Sequence, residues 1–101
     1  MKILAEICVI PLNGSVSLRK EIAIAHRILQ ETGCSVELHG YGTNIEGDYD
    51  TIMNAVKDIH QRLHELGTAR IHTSLKISSR IDKDQSFFQK VEAVQQQLQE
   101  S

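Results

Sequence analysis

The stretch that decides the fold is GYGTNIEGDYD, which spans residues 40–50. Its three glycines are Gly40, Gly42 and Gly47. Glycine reaches backbone angles that other residues avoid, so this density indicates a tight turn. We therefore expect the residues after Gly42 to pair back on the preceding segment as the second strand of a β-hairpin. An aspartate follows at once, and this residue type favours the start of a helix.

On both sides of this stretch the hydrophobic pattern switches between two periods. A repeat of two predicts strands at residues 2–10, 35–39, 43–47 and 70–79. A helical repeat predicts a first helix over residues 17–32, capped by Ser15 or Ser17, a second from Asp48 or Asp50 to Gly67, and a third over residues 87–98. The predicted order of elements is therefore β-α-β-β-α-β-α.

This order predicts an α+β fold, because two split βαβ halves joined by a hairpin form a ferredoxin-like sandwich. We expect residues 1–101 to form a single domain with an antiparallel sheet in the order 4-1-3-2 and an additional C-terminal helix. The first two helices would cover one face of the sheet. Alternation assigns to the open face Glu6, Cys8, Glu37, His39, Asn44, Glu46, Arg70, His72, Ser74 and Lys76.

Composition excludes several classes of protein. The chain has a formal charge of -2 without a basic stripe, which argues against nucleic acid as a partner. It has no long apolar run that would span a membrane, and its N-terminus carries a charge too early for a signal peptide, so we expect a cytoplasmic protein. Two cysteines are too few for a disulfide framework or a zinc site.

Two carboxylates are expected near the middle of the open face. Glu6 and Glu46 lie on neighbouring strands of the predicted sheet. An ionised carboxylate is costly to bury alone, so each needs a cation or hydrogen-bond donors. Arg70 or Lys76 could supply salt bridges, and a ligand with positive charge and N–H groups could do so instead. Spacing alone leaves both alternatives open.

Other residues carry weaker signals. Tyr41 and Tyr49 flank the hairpin, where a ring could stack on a flat or cationic ligand or simply pack over the second helix. His60 and His64 are spaced to share a metal ion, but no third ligand is evident, so we expect no metal site. Cys8 could pair with a histidine as thiolate and base, yet nothing suggests an oxyanion hole, so we predict no catalytic residue.

Three segments resemble the family of small thiamine-binding proteins, over nearly the whole chain. They are residues 5–12 (AEICVIPL), residues 42–50 (GTNIEGDYD), and His72-Thr73 together with residues 80–83 (RIDK). The second segment is the most specific. The resemblance implies a ferredoxin-like subunit that forms dimers or tetramers and binds thiamine, or its hydroxymethylpyrimidine part, without changing it chemically and without a further cofactor.

Applied to this chain, the resemblance and the chemistry of thiamine imply a ligand site on the open face near the hairpin. The expected polar contacts are Glu6, Thr43, Asn44 and Glu46, with Tyr41 as the stacking ring and Cys8, His39 and Ser74 as further wall residues. Two alternatives remain: a small oligomeric enzyme that uses Cys8 or a histidine of the sheet face, and an oligomeric regulatory module without a ligand.

Overall fold

The hairpin forms one side of a four-stranded antiparallel sheet in the computed structural model, which describes residues 1–100. The elements are β1 Lys2–Pro11, α1 Arg19–Gln30, β2 Ser35–His39, β3 Gly42–Asp48, α2 Tyr49–Glu65, β4 Ile71–Ser78 and α3 Phe87–Glu100. The sheet order is β2-β3-β1-β4. This is the predicted order read from the other edge, so the ferredoxin-like α+β fold is confirmed.

The core lies between the sheet and the first two helices. It contains the apolar face of β1, Ile45 of β3 and the inner sides of both helices. Its buried members are Ile3, Ala5, Ile7, Ala25, Leu29, Ile45, Ile52, Ala55, Ile59 and Leu63. The alternation seen in the sequence therefore sorts β1 correctly, because its odd-numbered apolar residues are the ones that α1 and α2 cover.

The cap predicted for the first helix is wrong. The helix begins at Arg19, and its N-cap residue Leu18 has no side chain that can accept a hydrogen bond from the first turn. The serine hydroxyls are used in the preceding loop instead, where Ser15 Oγ donates to the Ser17 carbonyl at 2.9 Å. The loop residue Asn13 also accepts from the Ser15 N–H at 2.9 Å. Local loop bonds thus replace the expected cap.

Asp48 caps α2, as one of the two predicted residues. Its side chain accepts from the Thr51 N–H at 3.2 Å and lies 3.2 Å from the Met1 ammonium. The Thr51 N–H is the main reason why the pKa of the Asp48 carboxyl lies below its usual 3.8, and the hydrogen bond from the ammonium lowers this pKa further. The ionised cap therefore stabilises both the helix start and the first residue of the chain.

Replacing Asp48 with alanine should lower the midpoint of thermal unfolding at neutral pH. A carboxyl with a lowered pKa in the folded state stabilises the protein above its unfolded pKa, at about pH 4, and this contribution disappears as the pH falls through the folded-state pKa. Melting curves of both proteins should therefore converge in acid. Asp48→Asn keeps an acceptor without the charge and should melt between the two; a gap that stays constant into acid would contradict this role.

The open face of the sheet carries the polar residues that alternation assigned to it. Glu6 of β1 lies directly opposite Asn44 of β3 on one side and Lys76 of β4 on the other. Cys8 lies opposite Ser74. Leu4 is the exception, since it lies on this face yet is 2% exposed beside a small cavity lined by Arg80, Lys83, Asp84 and Gln85.

The C-terminal helix α3 leaves most of this face uncovered. It forms where the sequence predicted it, but none of its residues is buried. The expected apolar stripe was Phe87, Val91, Val94 and Leu98; Phe87 is half-buried, whereas Val91, Val94 and Leu98 are between 56% and 68% accessible, and the neighbouring Phe88 is 73% accessible. Only the beginning of α3 lies beside the sheet, next to β2 and β3.

Candidate functional site

A cavity of about 230 Å³ lies at the hairpin end of the sheet, on the side that α1 covers. We call it the hairpin cavity. Its wall is mostly apolar and is formed by Ile7, Val9, Leu18, Ile22, Leu29 and Leu38, together with the turn at residues 40–42. The apolar stripe of α1 extends beyond the core toward the N-terminus of the helix. Ile22 of this stripe and the N-cap residue Leu18 border the cavity, and Ile22 stays 41% exposed.

One polar pair lies in this apolar wall. His26 Nδ1 of α1 is 3.2 Å from the hydroxyl of Thr43 on β3. Thr43 is only 5% exposed, because it alternates with Asn44 and so points to the same side of the sheet as Ile45. The pair offers a ligand both a hydroxyl and an imidazole within a largely apolar pocket.

The hairpin turn lies against β1 at the other wall of the cavity. Gly42 has a φ of +155°, and a Cβ built on it would lie 2.5 Å from the carbonyl oxygen of Ile7. Glycine is therefore required for this close approach of the turn to β1. Tyr41 extends outward beside it, with its side chain 86% exposed.

A row of charged groups crosses the open face behind this turn. The Glu6 carboxylate lies 3.4 Å from His39 Nε2 and 3.8 Å from Lys76 Nζ. His39 Nε2 is also 3.0 Å from Asn44 Oδ1. Lys76 is 82% exposed, so its ion pair with Glu6 is screened by solvent and contributes little. Glu6 therefore lies between His39 and Lys76 on a partly exposed part of the open face.

A second recess of about 320 Å³ lies on the open face, between the hairpin strands and the start of α3. We call it the open-face recess. Its polar side contains Glu37, Asn44 and Glu46, and its apolar side contains Phe87 and Phe88. The Glu46 carboxylate lies 3.9 Å from Lys2 Nζ, a cation that sequence reasoning did not pair with it.

The eight residues expected at one ligand site are therefore divided. Cys8, His39, Tyr41 and Thr43 line the hairpin cavity, whereas Asn44 and Glu46 line the open-face recess. Glu6 lies beside His39, and Ser74 lies opposite Cys8 on an exposed part of β4. Thr43 faces the helices, away from Glu6 and Glu46. All eight remain predictions as ligand contacts.

Sequence reasoning missed His26 and the two phenylalanines. His26 directly follows Ala25 in the buried stripe of α1, and this position beside the core was the signal available. Phe87 and Phe88 begin a helix that follows a charged loop, so nothing local placed them next to β2 and β3. Only the return of the chain across the open face brings them there.

Other polar clusters are satisfied internally. His60 Nε2 is 2.6 Å from the Thr73 hydroxyl, and His64 Nδ1 is 2.7 Å from the Thr68 carbonyl oxygen. Within residues 1–100, no three His, Cys, Asp or Glu side chains are grouped to hold a metal ion.

In the loop after β4, Arg80 is engaged with a nearby carboxylate. Arg80 Nε donates to Asp82 at 2.6 Å, and this guanidinium is the main cause that lowers the pKa of Asp82 to about 2. Because the guanidinium of Arg80 is already paired with Asp82, this loop is a weak candidate for an anion-binding site.

A larger groove lies elsewhere on the surface. It measures about 710 Å³ and runs between α1 and α2 on the side away from the sheet. Arg27, Glu31, Asp58 and Arg62 line it with both signs of charge. Such alternating charges are typical of solvated helix surfaces, so the smaller hairpin cavity, with an apolar wall and a few converging polar groups, is the better candidate for a ligand site.

The fold and the hairpin cavity define a small ferredoxin-like protein with a mostly apolar cavity under its hairpin. Comparison with protein families makes this specific. The chain matches the family of thiamine-binding proteins over residues 5–95, and it belongs to that family.

Relatives cover the chain almost completely. A UPF0045 protein of Synechocystis is 39% identical over 101 residues, which are 100% of this chain and 84% of that protein. The UPF0045 protein ECM15 of Eremothecium gossypii is 34% identical over 94% of this chain and 91% of its own length.

Solved structures agree with the fold. A hypothetical protein of Methanocaldococcus jannaschii superimposes with a TM-score of 0.86 at 33% identity, covering 92% of this chain and 95% of that one. A Thermotoga maritima protein with a provisional assignment to thiamine biosynthesis or salvage gives a TM-score of 0.80 at 23% identity, covering 93% and 99% of the two chains. At that identity the likeness shows the fold alone. No helix among residues 1–100 is long and apolar enough to cross a membrane.

Proposed function

We propose that this protein binds thiamine, or its hydroxymethylpyrimidine part, in the hairpin cavity without catalysing a reaction. The observation that carries the proposal is the apolar pocket with the Thr43–His26 pair in its wall, in a member of the thiamine-binding family. The proposal puts the ligand beside the predicted hairpin but on the helix-covered side of the sheet, in a cavity that four of the eight expected contacts line.

The size of the cavity favours a single ring. Pockets for drug-sized ligands measure about 300–1,000 Å³, whereas the hairpin cavity measures about 230 Å³. A substituted pyrimidine is a compact group of this kind, and the rest of thiamine would extend out of the pocket. Leu29 and Ile7 provide apolar contacts to such a ring.

The polar groups suit the two halves of thiamine. The aminopyrimidine edge carries donors and acceptors, which the Thr43 hydroxyl and the His26 imidazole can match. The thiazolium carries a fixed positive charge, and the exposed ring of Tyr41 beside the turn offers it a cation–π contact. Among residues 1–100, no lysine or arginine that would repel this charge lines the cavity.

The geometry gives less support to the enzyme alternative. Cys8 is the only nucleophilic thiol in the cavity wall, and it makes no hydrogen bond to a histidine within the described residues. A thiolate needs such a base or another positive group to be activated. We therefore expect a cytoplasmic carrier, buffer or sensor, and the exposed apolar stripe of α3 supports its assembly as a dimer or tetramer.

Replacing Thr43 with valine should weaken thiamine binding about fivefold, because it removes one hydrogen bond while keeping the shape of the side chain. Isothermal titration with thiamine and with hydroxymethylpyrimidine measures this change. Thr43→Ser keeps the hydroxyl and serves as the matched control, and Glu46→Gln alters the open-face recess alone.

Two results would contradict the proposal. The proposed function would be wrong if neither compound binds the unmodified protein at millimolar concentration. If Glu46→Gln weakens binding and Thr43→Val leaves it intact, the ligand lies in the open-face recess instead.

A ligand that binds only the folded protein must also raise its melting temperature. A melting temperature that neither compound changes would favour the ligand-free regulatory module.

A further inference from the structure

His39 connects the turn of the hairpin cavity to the charged row on the open face. It is the last residue of β2, and its side chain is 27% exposed. The backbone N–H of Tyr41 donates to its Nδ1 at 3.2 Å. On the other side of the ring, Nε2 lies 3.0 Å from Asn44 Oδ1 and 3.4 Å from Glu6 Oε2.

These contacts select one neutral form of the imidazole. A backbone N–H can only donate, so Nδ1 must present its lone pair to Tyr41. The proton of neutral His39 is therefore on Nε2, where two oxygen acceptors are available, from Asn44 and Glu6. The tautomer follows from the three partners and needs no ligand.

Protonation would break one of these contacts. A charged imidazolium carries a hydrogen on both nitrogens, so Nδ1–H would then face the Tyr41 N–H, donor against donor. The turn at residues 40–42, which lines the hairpin cavity, would lose this anchor. Histidine in general is the side chain that changes charge between about pH 5 and 8.

The charged neighbours of His39 come from two further strands. Glu6 of β1 lies beside the ring, and Lys76 of β4 lies on the other oxygen of Glu6. Asn44 of β3 is neutral. The cavity itself contains three other groups that can titrate, His26 of α1, Cys8 of β1 and Tyr41 of the turn, so a test must separate them from His39.

We propose that His39 is a positioning residue that makes the shape of the hairpin cavity depend on protonation: the neutral ring holds the Tyr41 turn against the cavity, and the charged ring releases it. For ligand affinity the inference rests on the proposed function. A ligand that needs the closed turn binds better when His39 is neutral than when it is charged. The coupling between ring and turn exists without any ligand.

The ligand-free protein tests the coupling directly. NMR of the imidazole nitrogens should show the Nε2–H tautomer for neutral His39, and the Tyr41 amide signal should shift together with the titration of His39. A dominant Nδ1–H tautomer, or a Tyr41 amide that stays unchanged while His39 titrates, would overturn the inference. This outcome is independent of whether thiamine binds.

The pH profile of thiamine affinity tests the consequence. From about pH 8 down to about pH 5, the range in which histidine changes charge, the affinity of the unmodified protein should fall by up to about fivefold, the effect of one lost hydrogen bond. In His39→Asn, the amide oxygen can accept from the N–H two residues ahead but does not titrate, so its affinity should not follow this fall, whatever its absolute value. The ligand's own titration is common to both proteins and cancels.

A fall that persists in His39→Asn would assign the pH dependence to His26, Cys8 or Tyr41 and overturn the role of His39 in binding. His39→Ala supplies the remaining comparison, because it has no acceptor at any pH and should show the released Tyr41 amide signal throughout. If thiamine does not bind at all, the proposed function fails while the NMR titration still decides whether His39 holds the turn.

Discussion

Replacing Ile45 with alanine should lower the free energy of unfolding by about 3–4 kcal/mol, the usual cost of emptying a closely packed core position. Ile45 is 0% exposed and lies in β3, opposite Ala5 of β1 and Val36 of β2. It belongs to the core cluster that both helices cover, with Ile52 among its members. Denaturant unfolding monitored by circular dichroism measures the change.

Ile81→Ala provides the matched control, since it removes the same atoms from a side chain that is 101% exposed. Its effect should stay within about 0.5 kcal/mol, as for most surface substitutions. Similar losses in the two variants would mean that Ile45 is not the centre of the core. A loss below about 1 kcal/mol in Ile45→Ala would mean that the surrounding side chains collapse into the space.

Replacing Gly42 with alanine should cost about 2 kcal/mol of stability and weaken ligand binding as well. Two penalties add: the added Cβ would lie 2.5 Å from the Ile7 carbonyl oxygen, and the residue has a φ of +155°, a region in which strain costs about 1–3 kcal/mol for other residues. The contacting atom belongs to the backbone of β1, so a side-chain rotation cannot relieve the overlap.

The same substitution should disturb the hairpin cavity. Gly42 is the last residue of the turn, directly before Thr43, and it is paired with His39 across the hairpin. Moving it away from Ile7 shifts two cavity walls relative to each other. Thiamine affinity, measured by titration calorimetry at a temperature where the variant is folded, should therefore fall more than in Thr43→Val.

Gly40→Ala is the control for the turn. A Cβ at Gly40 would meet no atom within 4 Å, so stability should change by less than about 0.5 kcal/mol, as at unconstrained surface positions. Equal losses at both positions would indicate that general stiffening of the turn, rather than the approach to Ile7, is responsible. Full stability of Gly42→Ala would show that β1 and the turn can separate freely.

The two glycines illustrate how far the sequence could be interpreted. Their density predicted a turn at residues 40–42, and the structure confirms the hairpin. Which of them is indispensable could not be predicted, because the atom that excludes a side chain at Gly42 belongs to Ile7, 35 positions earlier in the chain. Contacts between distant segments leave no local pattern.

Thr43 makes the same point for the candidate site. Alternation alone places it with Ile45 on the helix-covered side, yet chemistry and family resemblance suggested it as a partner of the open-face carboxylates. The structure pairs it with His26 of α1. The residues of the most specific sequence segment are therefore shared between two faces, and a strand that contributes to both faces cannot present all its polar groups to one ligand.

Local patterns were enough to predict the order of the elements, the ferredoxin-like topology and the side of each strand that enters the core. These follow from periods of two and about 3.6 residues, which are local properties of the backbone. Three further features could be seen only in the folded chain: a cavity lies under the hairpin, His39 links the turn to Glu6, and Phe87 lies beside Glu46. The length of α1 beyond the core and the path of the chain after β4 set these juxtapositions, and both depend on packing between segments far apart in the sequence.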